Sequence, residues 1–342
     1  MTSIRLAILG PISWRTPPRH YGAWETVVTN LAEELIRRNI DVTLFATRDS
    51  LTAGRLAAVA PYAWEEDANL DPKVWEYLHI SQAMEQASGF DLIHNSFDFM
   101  PLTYSRLIST PMLTTVHGFS IDQYRLVYRK YRETFFVSIS DADRDPHLPY
   151  VRTVYNGIKL EDFTFCPRPR TYLAFVGRIH PDKGVHLAIE VARQTDRELR
   201  IAGIIQDEDY FRQEIEPHLD GRQIRFEGPV GPVERDQLLG GALASLHLTT
   251  IPERFGLAMA ESMATGTPVI GIDLGSVSEV VADGETGFVV PDVEAAVEAV
   301  GQIGRISRAA CRKRVEERFS VAAMTDGYLD AYARVLDGNK GT

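Results

Sequence analysis

Glu253 and Glu261 stand eight residues apart in Pro-Glu-Arg-Phe-Gly-Leu-Ala-Met-Ala-Glu-Ser-Met-Ala-Thr-Gly-Thr-Pro-Val-Ile. The run Leu257 to Ala264 consists of strong helix formers, and Gly266-Thr267-Pro268 ends it. The pattern predicts a helix whose first backbone N–H groups, at Phe255, Gly256 and Leu257, face outward. With the positive end of the helix dipole they make an anion site suited to phosphate. Glu261 lies a turn inside, where a carboxylate can accept hydrogen bonds from two adjacent hydroxyls. Glu253, before the glycine, can do the same for a second diol. A nucleoside diphosphate sugar has that layout of ribose diol, diphosphate and hexose diol. A helix with one solvated acid and another near its start has the same spacing, and spacing alone does not separate the two.

A second charged loop is Gly177-Arg178-Ile179-His180-Pro181-Asp182-Lys183-Gly184, which follows an apolar run and precedes the helical pattern Val185–Arg193. Arg178 brings a planar fork and Lys183 a point charge to a strand's carboxyl end, where two cations can converge on a diphosphate. Solvated loop charges are the simpler alternative. The loop is not G-x-x-x-x-G-K-[ST], and no G-x-G-x-x-G follows the first apolar run, which weakens an oxidoreductase reading. His117, after Leu113–Val116 and before Gly118, is expected to point out from a strand end, as is His94. Asp141-Ala142-Asp143 and Asp207-Glu208-Asp209 match a D-x-D metal pattern, but helix capping explains the first and a polar loop the second. The run Tyr124 to Arg132 is basic and aromatic, suited to an anionic substrate or a membrane surface, or simply a solvated helix face with its tyrosines tucked in.

These residues need a scaffold, and the rest of the chain describes one. Its 342 residues suffice for two domains, and 44% hydrophobic with 24% charged residues is a globular composition. Buried strands are expected at Arg5–Leu9, Asp41–Ala46, Asp91–His94, Met112–Val116 and Phe135–Ile139. A second set is expected at Tyr172–Val176, Glu198–Ile201, Ile224–Phe226, Ala244–Leu248 and Pro268–Ile272. An amphipathic helix covers Glu25 to Arg38, and the alternation throughout is that of a parallel α/β protein. The turn-rich stretch Tyr155 to Arg170 reads as the connection between two Rossmann-like halves, with a ligand cleft expected between them. The N-terminus reads as a first strand and not a signal peptide, and no apolar run is long enough to span a bilayer, so cytoplasm is the expected location. Cys166 and Cys311 suggest neither a disulfide framework nor a zinc site. A net charge of −11 argues against bulk binding to nucleic acid or anionic lipid, and membrane association is not indicated.

Taken in order, several motifs resemble the retaining glycosyltransferases of family 4, over nearly the whole chain. They are Gly177-Arg178…Lys183-Gly184, Glu253 through Glu261, Gly-Thr-Pro-Val-Ile, Asp283-Gly284-Glu285-Thr286-Gly287-Phe288 and Glu317-Arg318-Phe319-Ser320. The resemblance implies the GT-B fold, α/β, with two Rossmann-like domains whose parallel sheets face a central cleft. Residues 1–154 would form the acceptor-binding domain and 155–320 the nucleotide-sugar domain, with 321–342 a helix packing back on the first. Arg178 and Lys183 would hold the donor diphosphate, Glu261 the ribose and Glu253 the transferred sugar. The Phe255–Leu257 amides would meet its phosphate or hydroxyls, the loop at Gly228-Pro229-Val230 the nucleobase, and His117 the reacting centre. In Pro18-Arg19-His20-Tyr21-Gly22-Ala23-Trp24-Glu25, Gly22 would allow close approach of a phosphate or acceptor, whereas Ala23 stands for the second glycine of the family's usual Gly-Gly and bulky Trp24 follows it. Further departures are Gly275-Ser276 where two glycines are common, Thr265 for a frequent cysteine, and Gly203-Ile204-Ile205 without its second glycine. The implied activity is transfer of a hexose from a UDP-glucose-type or GDP-mannose-type donor to a sugar, glycan or other hydroxyl acceptor. It would need no metal and no cofactor beyond the donor as co-substrate. A nucleotide-sugar epimerase on this fold, or an inactive nucleotide-sugar-binding protein, are the alternatives.

Overall fold

Short runs of Leu, Ile, Val and Phe become strands buried on both faces, and the helices between them return the chain so that every strand pair is parallel. The computed structural model describes residues 4–19, 22–119 and 121–339. Among these, seven strands form one sheet: β1 (Arg5–Leu9), β2 (Asp41–Phe45), β3 (Arg55–Ala57), β4 (Leu92–Asn95), β5 (Met112–Val116), β6 (Phe135–Ser138) and β7 (Tyr150–Thr153). Their order is β3-β2-β1-β4-β5-β6-β7. Six more form a second sheet: β8 (Leu173–Val176), β9 (Leu199–Ala202), β10 (Ile224–Gly228), β11 (Ala244–His247), β12 (Val269–Ile272) and β13 (Gly287–Val290), in the order β10-β9-β8-β11-β12-β13. The chain divides into two compact units, Met1–Gly157 with Val321–Thr342, and Ile158–Ser320.

All ten expected strands are present, with ends shifted by one or two residues. Three others had no clear signal. β3 is a three-residue, largely exposed edge, β7 an edge of half-buried residues, and β13 opens on a glycine. Most of the turn-rich stretch after Ile158 lies on the second unit, where Cys166 and Arg170 donate their backbone N–H to Thr265 and Gly241. The expectation that Asp141 opens a helix is corrected. Residues 141–143 form a turn, Asp141 accepts from Thr153 and pairs with Arg144, and Pro146 keeps the residue before it out of the helical region. Asp207 does not sit in an open loop but caps the helical turn Glu208–Tyr210, accepting from the Tyr210 N–H at 2.9 Å.

In the first unit the last helix, Val321–Asn339, lies against the helix Ala23–Arg37 and is tied to the sheet by a buried polar chain. His94, with no exposed surface, shares one ring nitrogen with the Tyr332 hydroxyl (2.7 Å) and the other with Thr115 (2.7 Å). Thr115 in turn meets the Tyr328 hydroxyl at 2.9 Å. His94 is thus a core residue with both nitrogens engaged. Burial, aided by the nearby His117, pushes it down to about 3. Buried His79, which bonds the Gly10 carbonyl, is pushed by burial down to about 4.

Both imidazoles are neutral in the folded chain, whereas the unfolded chain takes up their protons below the ordinary value of 6.5. Stability is therefore full above that value and falls as pH drops from 6.5 towards 4. Urea unfolding of a His79→Gln, His94→Gln double variant should show a weaker acid loss than wild type over that interval, and parallel curves would refute the assignment.

Candidate active site

The second sheet reverses its strand order between β8 and β11, and the carboxyl ends of strands at such a reversal are where parallel α/β sheets bind ligands. Residues 177–184 follow β8 and residues 248–256 follow β11. The two loops are stitched together. The Thr250 N–H and the Thr249 hydroxyl both donate to the Asp182 carbonyl, at 3.0 and 2.8 Å. Gly184, at φ 66°, comes so close that a Cβ there would stand 1.8 Å from the Leu248 carbonyl oxygen. Only glycine fits that conformation and that gap.

This stitching sets Lys183 against Glu253. The Lys183 ammonium lies 2.6 Å from Glu253 Oε2, and His247 Nε2, from the last residue of β11, meets the same oxygen at 2.9 Å. The Glu253 side chain is only 10% exposed. Its backbone is clamped from behind, with its N–H on the Leu274 carbonyl and its own carbonyl accepting from Ser276. The turn at Gly275, φ 69°, permits this, because a Cβ there would lie 2.2 Å from the Glu253 carbonyl oxygen. Of the two glycines usual at this place, the retained one meets the steric demand. Burial acts to raise the Glu253 carboxyl, but the His247 hydrogen bond and the charge of Lys183 outweigh it and hold the group well below the usual carboxylate range.

The helix Leu257–Ala264 starts from Gly256 at φ 78° with no side-chain cap. Phe255 turns its ring into the core against Phe319, 5.6 Å between centroids, which fixes the loop just before the helix start. Glu261, 13% exposed, faces Arg235 of the helix Pro232–Gly241 at 3.3 Å. Burial raises its carboxyl, Arg235 opposes that, and Asp162 adds to it. Glu253 and Glu261 thus have different electrostatic settings, one paired on two sides and one nearly dehydrated beside a single guanidinium.

The two expected phosphate cations have different partners. Arg178 donates to the Gln206 side chain on the loop after β9, while Lys183 is held by Glu253, so they share no partner. Lys183 and Glu253 form one ion pair, a contact between two of the expected site residues that their order in the chain does not announce. Val230 follows β10 and is half-buried against the cluster of Tyr172, Leu238 and Leu239. His247 and Arg235 were missed. The first carries a signal, a histidine closing an apolar strand ahead of the acidic loop; Arg235 on its helix has none.

In the first unit the order reverses between β1 and β4. Gly22, φ 150°, precedes the first helix and is packed so closely that a Cβ would meet Pro18 at 2.8 Å. His20 and Tyr21 of this segment lie outside the described residues. Trp24, the bulky residue that follows Ala23, stacks on His117 with ring centroids 4.9 Å apart. His117 is buried beyond the end of β5, with Nε2 3.0 Å from the Ser96 hydroxyl. Glu25 accepts from the Ser13 hydroxyl and the Trp14 N–H, which braces the loop after β1. The basic run is a folded helix face. Arg125 and Arg129 both donate to buried Asp145, and the buried Tyr128 hydroxyl donates to Asp98.

Two parallel Rossmann-like units on one chain, with charged loops at the switch point of the second, define a GT-B glycosyltransferase architecture. The chain belongs to the family 4 glycosyltransferases. The family model Glycosyltransferase Family 4 matches residues 24–162 and that of Glycosyl transferases group 1 matches 163–318. Glycogen synthase of Mycobacterium tuberculosis is 34% identical over 151 residues, 42% of this chain and 36% of that protein. The phosphatidyl-myo-inositol mannosyltransferase of Mycolicibacterium smegmatis is 28% identical over 220 residues, covering 58% and 55%. The match thus spans from about a third to just over half the length of these two curated relatives. Among solved structures, sucrose-phosphate synthase from Thermosynechococcus elongatus aligns over 98% of this chain and 100% of its own, with TM-score 0.79 and 18% identity. Anabaena HepE in complex with UDP and glucose aligns over 96% and 99%, with TM-score 0.74 and 18% identity. Among the described residues, no helix is long and apolar enough to cross a membrane.

Gly184→Ala forces Leu248 or the loop after β8 to move, and should cost roughly 2 kcal/mol or more of stability. Gly301→Ala, in the helix Val293–Gln302 where an added Cβ meets nothing within 4 Å, is the control and should be neutral or stabilising by up to about 1 kcal/mol in chemical unfolding.

Proposed function

We propose that this protein transfers a hexosyl group from a nucleotide diphosphate sugar to a hydroxyl acceptor, with retention of configuration, without a metal ion and without a cofactor besides the donor. The observation that carries the reading is the Lys183–Glu253–His247 cluster on loops stitched across the second sheet's switch point, with buried Glu261 on the adjoining helix. The donor diphosphate would lie at Lys183, Arg178 and the N–H groups around Gly256. Glu261 would accept from the ribose diol and Glu253 from hydroxyls of the transferred sugar. Loop backbone near Val230 would meet the base. The acceptor would bind mainly to the first unit, near Gly22 and His117.

In the reaction the bond between the sugar's anomeric carbon and the phosphate oxygen breaks, and the electron pair leaves with the diphosphate. Cationic side chains and a helix start supply fixed positive charge where that negative charge develops, the role a metal would otherwise fill. The acceptor oxygen bonds to the same face of the oxocarbenium-like centre, and its proton passes to the departing phosphate oxygen. No covalent enzyme intermediate is assigned. The proposed donors are of the UDP-glucose or GDP-mannose type; the Anabaena neighbour was solved with UDP and glucose, and one relative is a phosphatidyl-myo-inositol mannosyltransferase. A cytoplasmic location is part of the proposal.

Incubation with UDP-glucose and GDP-mannose against an acceptor panel tests the reading, with transfer products as readout. Glu261→Ala and Lys183→Ala should each lower transfer by about a hundredfold or more, of the order seen when a charge-stabilising group is lost, while the protein stays folded. Near-full activity in both variants refutes the site. An epimer formed from donor alone points to the epimerase, and donor binding with no turnover on any acceptor to an inactive binding protein.

A further inference from the structure

Glu253 Oε2 receives two donors at once, the Lys183 ammonium at 2.6 Å and the His247 ring at 2.9 Å. Oε1 accepts the N–H of Arg254 at 3.2 Å. A carboxylate oxygen has room for two donors, and on Oε2 one place is taken by a cation and the other by a ring N–H. The donors also differ in freedom. His247 is held in the sheet, its strand paired through Gly271 of β12, and the residue is 9% exposed. Lys183 stands in a loop on a flexible four-carbon stem, its side chain 21% exposed.

We propose that His247 is the standing hydrogen-bond partner of Glu253, which frees Lys183 to leave that carboxylate for the diphosphate of an incoming nucleotide sugar. The inference rests on the assignment of Lys183 to the donor diphosphate given above. A carboxylate withdrawn from water and left without a side-chain donor is strongly destabilised, so a lysine that was the sole side-chain partner would be retained by Glu253 and lost to the phosphate. With His247 in place the carboxylate keeps a donor throughout, provided the ring carries its proton on Nε2, as an acceptor at 2.9 Å requires. His247 is accordingly a positioning residue: it acts on the donor through Glu253 and Lys183.

UDP and GDP, which carry the diphosphate but no sugar, are the probes, titrated calorimetrically into the purified full chain. His247→Leu removes the donor and should weaken binding of whichever nucleotide the wild type prefers by about tenfold or more, equivalent to about 1.4 kcal/mol. Adding Glu253→Gln to that variant removes the charge that holds Lys183, and should restore binding to within about threefold of wild type. His247→Gln keeps an N–H donor and should also stay within about threefold. A merely structural role for His247 would not be rescued by a change at Glu253. Unchanged binding in His247→Leu, no recovery in the double variant, or a tenfold loss in His247→Gln each overturns the inference while leaving the donor site standing. A wild type that binds neither UDP nor GDP overturns the donor-site assignment itself, and this inference with it.

Discussion

A carboxylate taken out of water must be given charge in return, and the second unit is organised around meeting that demand at Glu253. Its loop is clamped by the turn at Gly275, its side chain by a lysine from one strand's loop and a histidine from the end of another. The lysine depends on a backbone approach that a larger residue would block, the histidine on its place in the sheet. The close passage of Gly184 by Leu248 brings the lysine loop in, and the pairing of β11 with β12 fixes the histidine. The ion pair is therefore a product of the sheet's strand order, since the two loops come from neighbours on opposite sides of its reversal.

Glu261 shows the same chemistry resolved differently. Its carboxyl is also withdrawn from water, but with one guanidinium at 3.3 Å its proton affinity rises where that of Glu253 falls. Burial raises both acids of this one motif, but only at Glu253, with a short contact on each side, do the partners outweigh it.

Much of this was legible from residue order. The ten buried strands announced themselves as apolar runs, and the charged loops followed the right ones. The edge strands β3 and β7 did not, because half-exposed edges carry mixed polarity and no continuous apolar signal. Within the site, residue types near the strand ends were visible but their pairings were not. Nothing in the chain's order says that Lys183 reaches Glu253 across 70 residues while Arg178 turns to Gln206. Trp24 looked like a disturbance of a glycine-rich turn, and its partner His117 follows a strand far along the chain, so only the fold reveals the stack. Asp141 misled for a local reason, since a proline shortly downstream forbade the helix that its neighbours suggested.

The polar chain from Tyr332 through His94 and Thr115 to Tyr328 joins the last helix to the middle of the first sheet. That helix follows the second unit in the chain, and the second unit is one uninterrupted segment between the two portions of the first. On the ribosome the order of completion is therefore inverted. The second unit can close as soon as it emerges, but the first must wait, with His94 and Thr115 uncovered, until the helix Val321–Asn339 has been made. The amino-terminal half is thus the portion most in need of protection during synthesis, and removing the last helix would leave the buried His94 nitrogen without its tyrosine.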